Sequence, residues 1–244
     1  MGEECLSTLC TGLEKVLRVR DDAAKMGIMV AYSASCGRPV SKLDPGALDS
    51  KVEELLQYLR QRYSLESLRD DPIVRAYRDF YWRIGIDPTK TRPSSEALVR
   101  RALRGRWPRI NPVVDAGNIA SAKYMVPVGI YDMDSFHPPA EIRLSRGEEV
   151  FLPIGGREEK IKSGVPIMVD SRGVVMHLYP HRDSRYTMIR DTTRRVLIVA
   201  AGVPRVPMEQ LEATVKEVQR LLVLLGWKSC EKVYASQTYK NQAS

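Results

Sequence analysis

The spacing of apolar residues along this chain changes from helical to strand-like at Pro127. In the first half they return every three or four positions. Leu48, Val52, Leu55, Leu56 and Leu59 predict a helix after the Asp44-Pro45-Gly46 turn. Pro72 opens a second helix with Ile73, Tyr77, Phe80 and Tyr81 for the core, and Gly85 closes it. A third begins at Pro93-Ser94, presents Ala97, Leu98 and Ala102, and stops at Gly105. Pro112 starts a fourth that runs to Tyr124, ahead of Pro127. Beyond Pro127 the period is that of strands: 128–131, 141–144, 149–154, 166–169, 174–178 and 196–200 are short β-rich runs between turn residues. An earlier run, 27–33, has the same character. The chain closes on a helix whose Met208, Leu211, Val215, Val218, Leu222 and Leu225 form a packing stripe. The first 26 residues show no clear period and stay unassigned. Helices, then strands, then a closing helix predict an α+β fold, a mixed or antiparallel sheet with flanking helices. No linker or repeat divides the chain, so one domain over residues 1–244 is expected.

Composition narrows the class. The chain has 244 residues, 43% of them hydrophobic and 28% charged, enough for a core and no sign of general disorder. No apolar run approaches the roughly 20 residues that cross a bilayer. Glu3 and Glu4 stand where a secretory leader would be basic. A soluble, cytoplasmic protein is expected. Cys5, Cys10, Cys36 and Cys230 form no C-x-x-C pair and have no histidine at zinc-ligand spacing, so neither a metal nor any other cofactor is expected. Reduced thiols are expected, with Cys5–Cys10 the conceivable pair.

The formal net charge is +8, compatible with a polyanionic partner. The charge is clustered. Arg100, Arg101, Arg104, Arg106 and Arg109 surround Trp107, and Arg182, Arg185, Arg190, Arg194 and Arg195 form a second group. Phosphate contacts plus base or ribose stacking use these residue types; a solvated basic face would look the same in sequence.

From 90 to 136 the sequence reads KTRPSSEALVRRALRGRWPRINPVVDAGNIASAKYMVPVGIYDMDSF. This resembles the B3/B4 tRNA-binding and editing domain of the phenylalanyl-tRNA synthetase beta subunit. That family has a proline-serine helix start, a basic helix, R-x-I-N-x-V-V-D-x-x-N, then a proline and a strand ending in aromatic-Asp-x-Asp. The matching residues are Pro93, Ser94, Arg109, Ile110, Asn111, Val113, Val114, Asp115, Asn118, Pro127, Tyr131, Asp132 and Asp134. The resemblance resumes at 152–156, 166–170 and the Asp191-Thr192-Thr193 triplet, covering about 90–200. It implies a free-standing B3/B4-like domain that binds the tRNA acceptor end and hydrolyses a wrongly attached amino acid in trans. No region corresponds to the synthetase catalytic domain, and no G-x-x-x-x-G-K-[ST] occurs, so aminoacylation is not expected.

The candidate site follows from both readings. Asn111 caps a helix that begins at Pro112. Asp115 and Asn118 lie one turn apart and can hold an ammonium and a hydroxyl or carbonyl, or can fix the helix end. By resemblance Asn118 lines the editing pocket, with Tyr131 and Gly129 on the strand beside it. Gly129 stands where the family has a pocket histidine, and Val199 and Ala200 where it has a pocket glutamate. Glycine at 129 would enlarge the pocket or let backbone approach closely. Gly155 and Gly156 sit at a strand end, either as oxyanion-binding amides or as a simple turn. His137 reads as a loop residue and His177 as an interior or sheet-surface histidine. His181, after Pro180, matches a pocket loop of the family and is the candidate general base or contact to the terminal adenosine. Nothing marks a Ser-His-Asp set. An aminoacyl-tRNA deacylase, an RNA-binding module without chemistry and an amino-acid sensor all remain open.

Overall fold

The computed structural model describes residues 2–236. The chain opens with α1 (Gly2–Cys10), β1 (Leu17–Val19), α2 (Asp21–Ala24) and β2 (Met29–Cys36). Four helices follow: α3 (Asp49–Arg62), α4 (Pro72–Arg83), α5 (Ser94–Leu103) and α6 (Pro112–Tyr124). The strand half contains β3 (Val128–Asp132), β4 (Ala140–Leu144), β5 (Val150–Phe151), β6 (Glu159–Lys160), β7 (Pro166–Val169), β8 (Val175–Leu178), β9 (Arg182–Asp183) and β10 (Arg195–Gly202). Helix α7 (Met208–Leu224) and strands β11 (Lys228–Ser229) and β12 (Tyr234–Ala235) end the described chain.

Helix starts follow the residues that satisfy the free amides of a first turn. The Asp71 carboxylate accepts from the amides of Ile73 and Val74 at 2.9 and 3.3 Å, with Pro72 first in α4. The Asn111 side chain accepts from the Val114 amide at 3.0 Å, with Pro112 first in α6. The helix expected directly after Asp44-Pro45-Gly46 begins later, at Asp49. The run 149–154 forms a regular strand only over β5; Pro153 then makes an isolated antiparallel bridge to Ser184 before the chain turns.

Two sheets face each other. One has the order β1-β4-β7-β8-β9, with β1 parallel to β4 and the other pairs antiparallel. The second has the order β11-β2-β10-β3, with β12 also on β2, all antiparallel. Its central strand β10 reads as an unbroken apolar run because both faces are covered: Val196 to Ala200 are all buried. Helix α7 lays Leu211, Val215, Val218 and Leu222 against this sheet. The architecture is α+β with mixed and antiparallel sheets.

The unassigned N-terminal residues belong to the same core. Leu9, Leu13, Leu17, Val19 and Ala23 are buried in the cluster that also holds β10 and α7. Segments this short carry too few turns to show a period. The cysteines correct the expectation of free thiols. Cys5 is bonded to Cys36, and Cys10 to Cys230, with Cα–Cα separations of 6.6 and 5.6 Å. Cys5 and Cys10 do not pair with each other because both lie on α1, five positions or about 140° apart around the helix. Their sequence separations of 31 and 220 residues mean closed loops worth roughly 4 and 5 kcal/mol on a chain-entropy account. No helix among the described residues is long and apolar enough to cross a membrane.

Candidate functional site

A two-lobed cavity opens where the sheets, α5 and α6 meet. The inner lobe, about 120 Å³, is enclosed by Ser94 and Leu98 of α5, Asn118 and Ser121 of α6, Gly129 and Tyr131 of β3, Val199 and Ala201 of β10, and Ile142, Met168 and His177 of the facing sheet. Tyr179, Pro180, His181 and Asp183 close it. The outer lobe, about 210 Å³, runs from Ile110 and Asn111 past Ile130 and Ile154 to Thr187, Met188 and Ile189. Asn118, Val128, Tyr131 and Asp183 line both lobes. At the rim Ile110 and Ile154 are 64% and 55% exposed.

Local chemistry explains this placement. Helix α6 reaches β3 closely because residue 117 is glycine: a Cβ there would lie 2.7 Å from Ile130 Cδ1. That approach sets Asn118 against the cavity. Along β3, side chains two apart share a face. Tyr131 therefore lies over Gly129, and its hydroxyl occupies the space a Cβ at 129 would need. The missing side chain at 129 does not enlarge the cavity, as the sequence suggests; a buried tyrosine fills the gap.

The polar groups converge from the β8–β9 hairpin. His177 and Asp183 are directly opposed across it, and His177 Nδ1 lies 2.8 Å from Asp183 Oδ1. The Tyr131 hydroxyl also bonds to Asp183; burial and that carboxylate hold the phenol well above its usual pKa range. His181 packs its ring edge against Tyr81, and its Nδ1 is buried with no hydrogen-bond partner among the described residues. Burial, reinforced by His177 and Arg182, pushes its pKa down to about 3. The imidazole is neutral at pH 7 and a poor proton acceptor. Ser121 and Thr187 line the inner and outer lobes, and their hydroxyls are buried with no hydrogen-bond partner among the described residues.

Several candidates sit elsewhere. Asp115 is buried, accepts from the Ile110 amide at 3.0 Å, pairs with Arg109 at 3.3 Å and lines neither lobe. Burial raises its pKa against the lowering by that amide and Arg109. It fixes the helix start and is not in position to hold a substrate. The Gly156 amide donates to the Pro153 carbonyl at 3.2 Å, and neither Gly155 nor Gly156 reaches the cavity, so the turn replaces the oxyanion reading. Asp132 accepts from Thr193 Oγ1 at 2.6 Å, and Arg195 pairs with Asp134; these motif residues tie β3 to β10. His137 lies on an exposed loop. Sequence reasoning left His177 out of the site. The signal was the hairpin turn at Pro180, which sets residues 177 and 183 opposite each other.

The arginines divide. Arg100 binds the fully buried Glu96 at 2.7 Å, beside Arg78 at 3.0 Å. Arg109 pairs with Asp49 and Asp115, Arg182 with Glu159, and Arg195 with Asp134. The Trp107 indole is partly buried against the core, with its Nε1 buried and unpartnered among the described residues. Arg101, Arg104, Arg106, Arg185 and Arg194 are exposed, with no guanidinium ion pair among the described residues. Three of them precede Ile110 and Asn111 in sequence, and Arg185 and Arg190 bracket Thr187 to Ile189. Both groups therefore adjoin segments that line the outer lobe.

Two sheets thus enclose a cavity against a proline-started, asparagine-capped helix, α6. The chain belongs to the B3/4 domain family, whose model matches residues 76–218, more than half of its length. It is similar in structure to an N-terminal fragment of the phenylalanyl-tRNA synthetase beta-subunit from Pyrococcus horikoshii, at 16% identity and a TM-score of 0.48. That similarity covers 94% of this chain and 59% of the fragment, so the chain spans little more than half of it. No curated protein matches the sequence.

Proposed function

We propose that this protein binds the aminoacylated end of a tRNA and hydrolyses its ester bond in trans. The observation that carries the reading is the two-lobed cavity in the family-matched region, with exposed arginines close in sequence to segments that line its outer lobe. The inner lobe has room for a small amino-acid side chain, and Asn118 at the junction can hold the amino-acid backbone. The outer, apolar-rimmed lobe is suited to the ribose and base beyond the ester. Arg101, Arg104, Arg106 and Arg185 would hold phosphates. An aminoacyl ester is intrinsically labile, so holding it beside an oriented water supplies much of the acceleration. A binding module without chemistry is the second reading, favoured by glycine at 129 where the family carries histidine. The test is a panel of purified aminoacyl-tRNAs followed for ester loss and for binding. Faster loss of at least one ester than in buffer is expected. Tight binding with no ester loss across the panel selects the binding module.

A further inference from the structure

The β8–β9 hairpin holds a polar pair that the family motif does not account for. We propose that His177, oriented by Asp183, is the base that takes a proton from the water attacking the ester carbonyl. The assignment rests on the deacylase reading above and gives that site its proton acceptor.

The geometry fixes which nitrogen acts. A carboxylate only accepts hydrogen bonds, so the 2.8 Å contact to Asp183 Oδ1 means that Nδ1 carries the hydrogen. In the neutral ring the lone pair is then on Nε2. Nε2 makes no hydrogen bond to protein among the described residues, and the ring lines the inner lobe. The ring is held edge-on between Tyr131 and Tyr179, with centroid separations of 6.2 and 6.0 Å. Tyr179 is anchored in turn through its hydroxyl to the carbonyls of Met29 and Gly202, at 2.9 and 2.6 Å. Asp183 receives Tyr131 as well as His177. A base whose far nitrogen is fixed by a carboxylate is the arrangement that activates a nucleophile, here water.

The other histidine does not fit this role. His181 Nδ1 is buried, and a ring whose pKa is pushed down to about 3 by burial does not keep an abstracted proton. Gly129 leaves no rival on β3.

The step balances. Nε2 takes one proton from water as the water oxygen bonds to the carbonyl carbon. The tetrahedral intermediate then breaks its bond to the ribose oxygen, which receives the proton from Nε2. The products are the free amino acid, ionising to solvent, and a tRNA with its terminal hydroxyls restored.

The test uses the full chain and the most reactive ester of the panel under single-turnover conditions. His177→Ala should slow hydrolysis by about 10²- to 10⁴-fold, with tRNA affinity unchanged, and added imidazole should restore part of the rate. His177→Gln provides the same readout if the alanine variant folds poorly. Asp183→Asn, at a positioning residue, should slow the reaction and shift the ¹⁵N resonances of His177 away from the Nδ1–H tautomer. His137→Ala, on the exposed loop, is the control. If the wild type hydrolyses an ester but both His177 variants keep its rate within about threefold, or imidazole restores nothing to a slow alanine variant, His177 is not the base and the deacylase reading stands. If the wild type hydrolyses nothing, both fall.

Discussion

The two walls of the cavity hold their shape by different means. On the α6–β3 side the fit is steric. Gly117 lets Ile130 approach to where a Cβ would lie 2.7 Å away, and Gly129 lies under the Tyr131 hydroxyl. On the β8–β9 side it is electrostatic. His177, His181 and Asp183 share a small space in which one pair is hydrogen-bonded and one imidazole is left without a partner. Residues of the family motif therefore mostly build the steric wall. The side chains able to move a proton come from the hairpin opposite. A substitution on the first wall should act on stability before chemistry, and one at His177 on the second should do the reverse.

The strongest way to break this contrast is to place the family's side chain on the steric wall. Gly129→His needs the volume now filled by the Tyr131 hydroxyl. A flexible side-chain tip would swing aside at little cost, but Tyr131 is 2% exposed and bonded to Asp183. Displacing it combines overpacking with a broken buried hydrogen bond, about 3 kcal/mol together. Thermal unfolding should shift down by roughly 6–12 °C for a chain of this size. Adding Tyr131→Ala should recover part of that loss, a positive coupling between the two positions. If Gly129→His melts with the wild type and gains hydrolytic rate, the wall is not set by packing.

A somewhat smaller effect belongs to the electrostatic wall. His181 has a folded-state pKa of about 3, depressed mainly by burial. In the unfolded chain it titrates near 6.5. Below about pH 6.5 the unfolded state thus binds a proton that the folded state does not, and stability falls as pH falls. Between pH 7 and 4.5 the loss from this residue should be about 2–3 kcal/mol, levelling off near pH 3. Urea unfolding of wild type and His181→Leu across that range measures it. A smaller acid-side loss in the variant is expected; equal slopes would mean that His181 is not held neutral.

The steric wall was far more legible in sequence than the electrostatic one. Pro112 and Asn111 marked the start of α6, apolar runs marked β3 and β10, and the motif placed Asn118 and Tyr131 beside each other. All of these are local signals. The function of Asp115 was not legible, because whether a carboxylate faces a ligand or its own helix end depends on how the Ile110–Asn111 backbone turns. The partnership of His177 with Asp183 needed the hairpin register, and two-residue β9 has no periodicity to give it away. The cysteine pairs depend on α1 packing against β2 and β11, contacts between segments up to 220 residues apart.

The arginines at the C-terminal end of α5 offer the finest test, because neighbours there should behave oppositely. Arg100 is half of a buried arrangement: its guanidinium meets Glu96, which is 0% exposed and, among the described residues, has Arg78 as its other cation. Arg100→Ala should cost about 2 kcal/mol by weakening a charge-assisted bond to a buried carboxylate. Its effect on tRNA affinity should be secondary. Arg101 and Arg104 are exposed, with no ion pair among the described residues. Reversing both to Glu should leave stability within about 0.5 kcal/mol. If they meet phosphates, binding should weaken and the dependence of log affinity on log salt should flatten by roughly 1.5–2. The discriminating measurement is therefore a salt titration of tRNA binding beside a melting curve for each variant. A salt slope unchanged by the double reversal would leave these arginines as a solvated face. An affinity loss in Arg100→Ala matching that of the double reversal would mean that α5 must hold its position for the cavity to work, with no phosphate contact required from its tip.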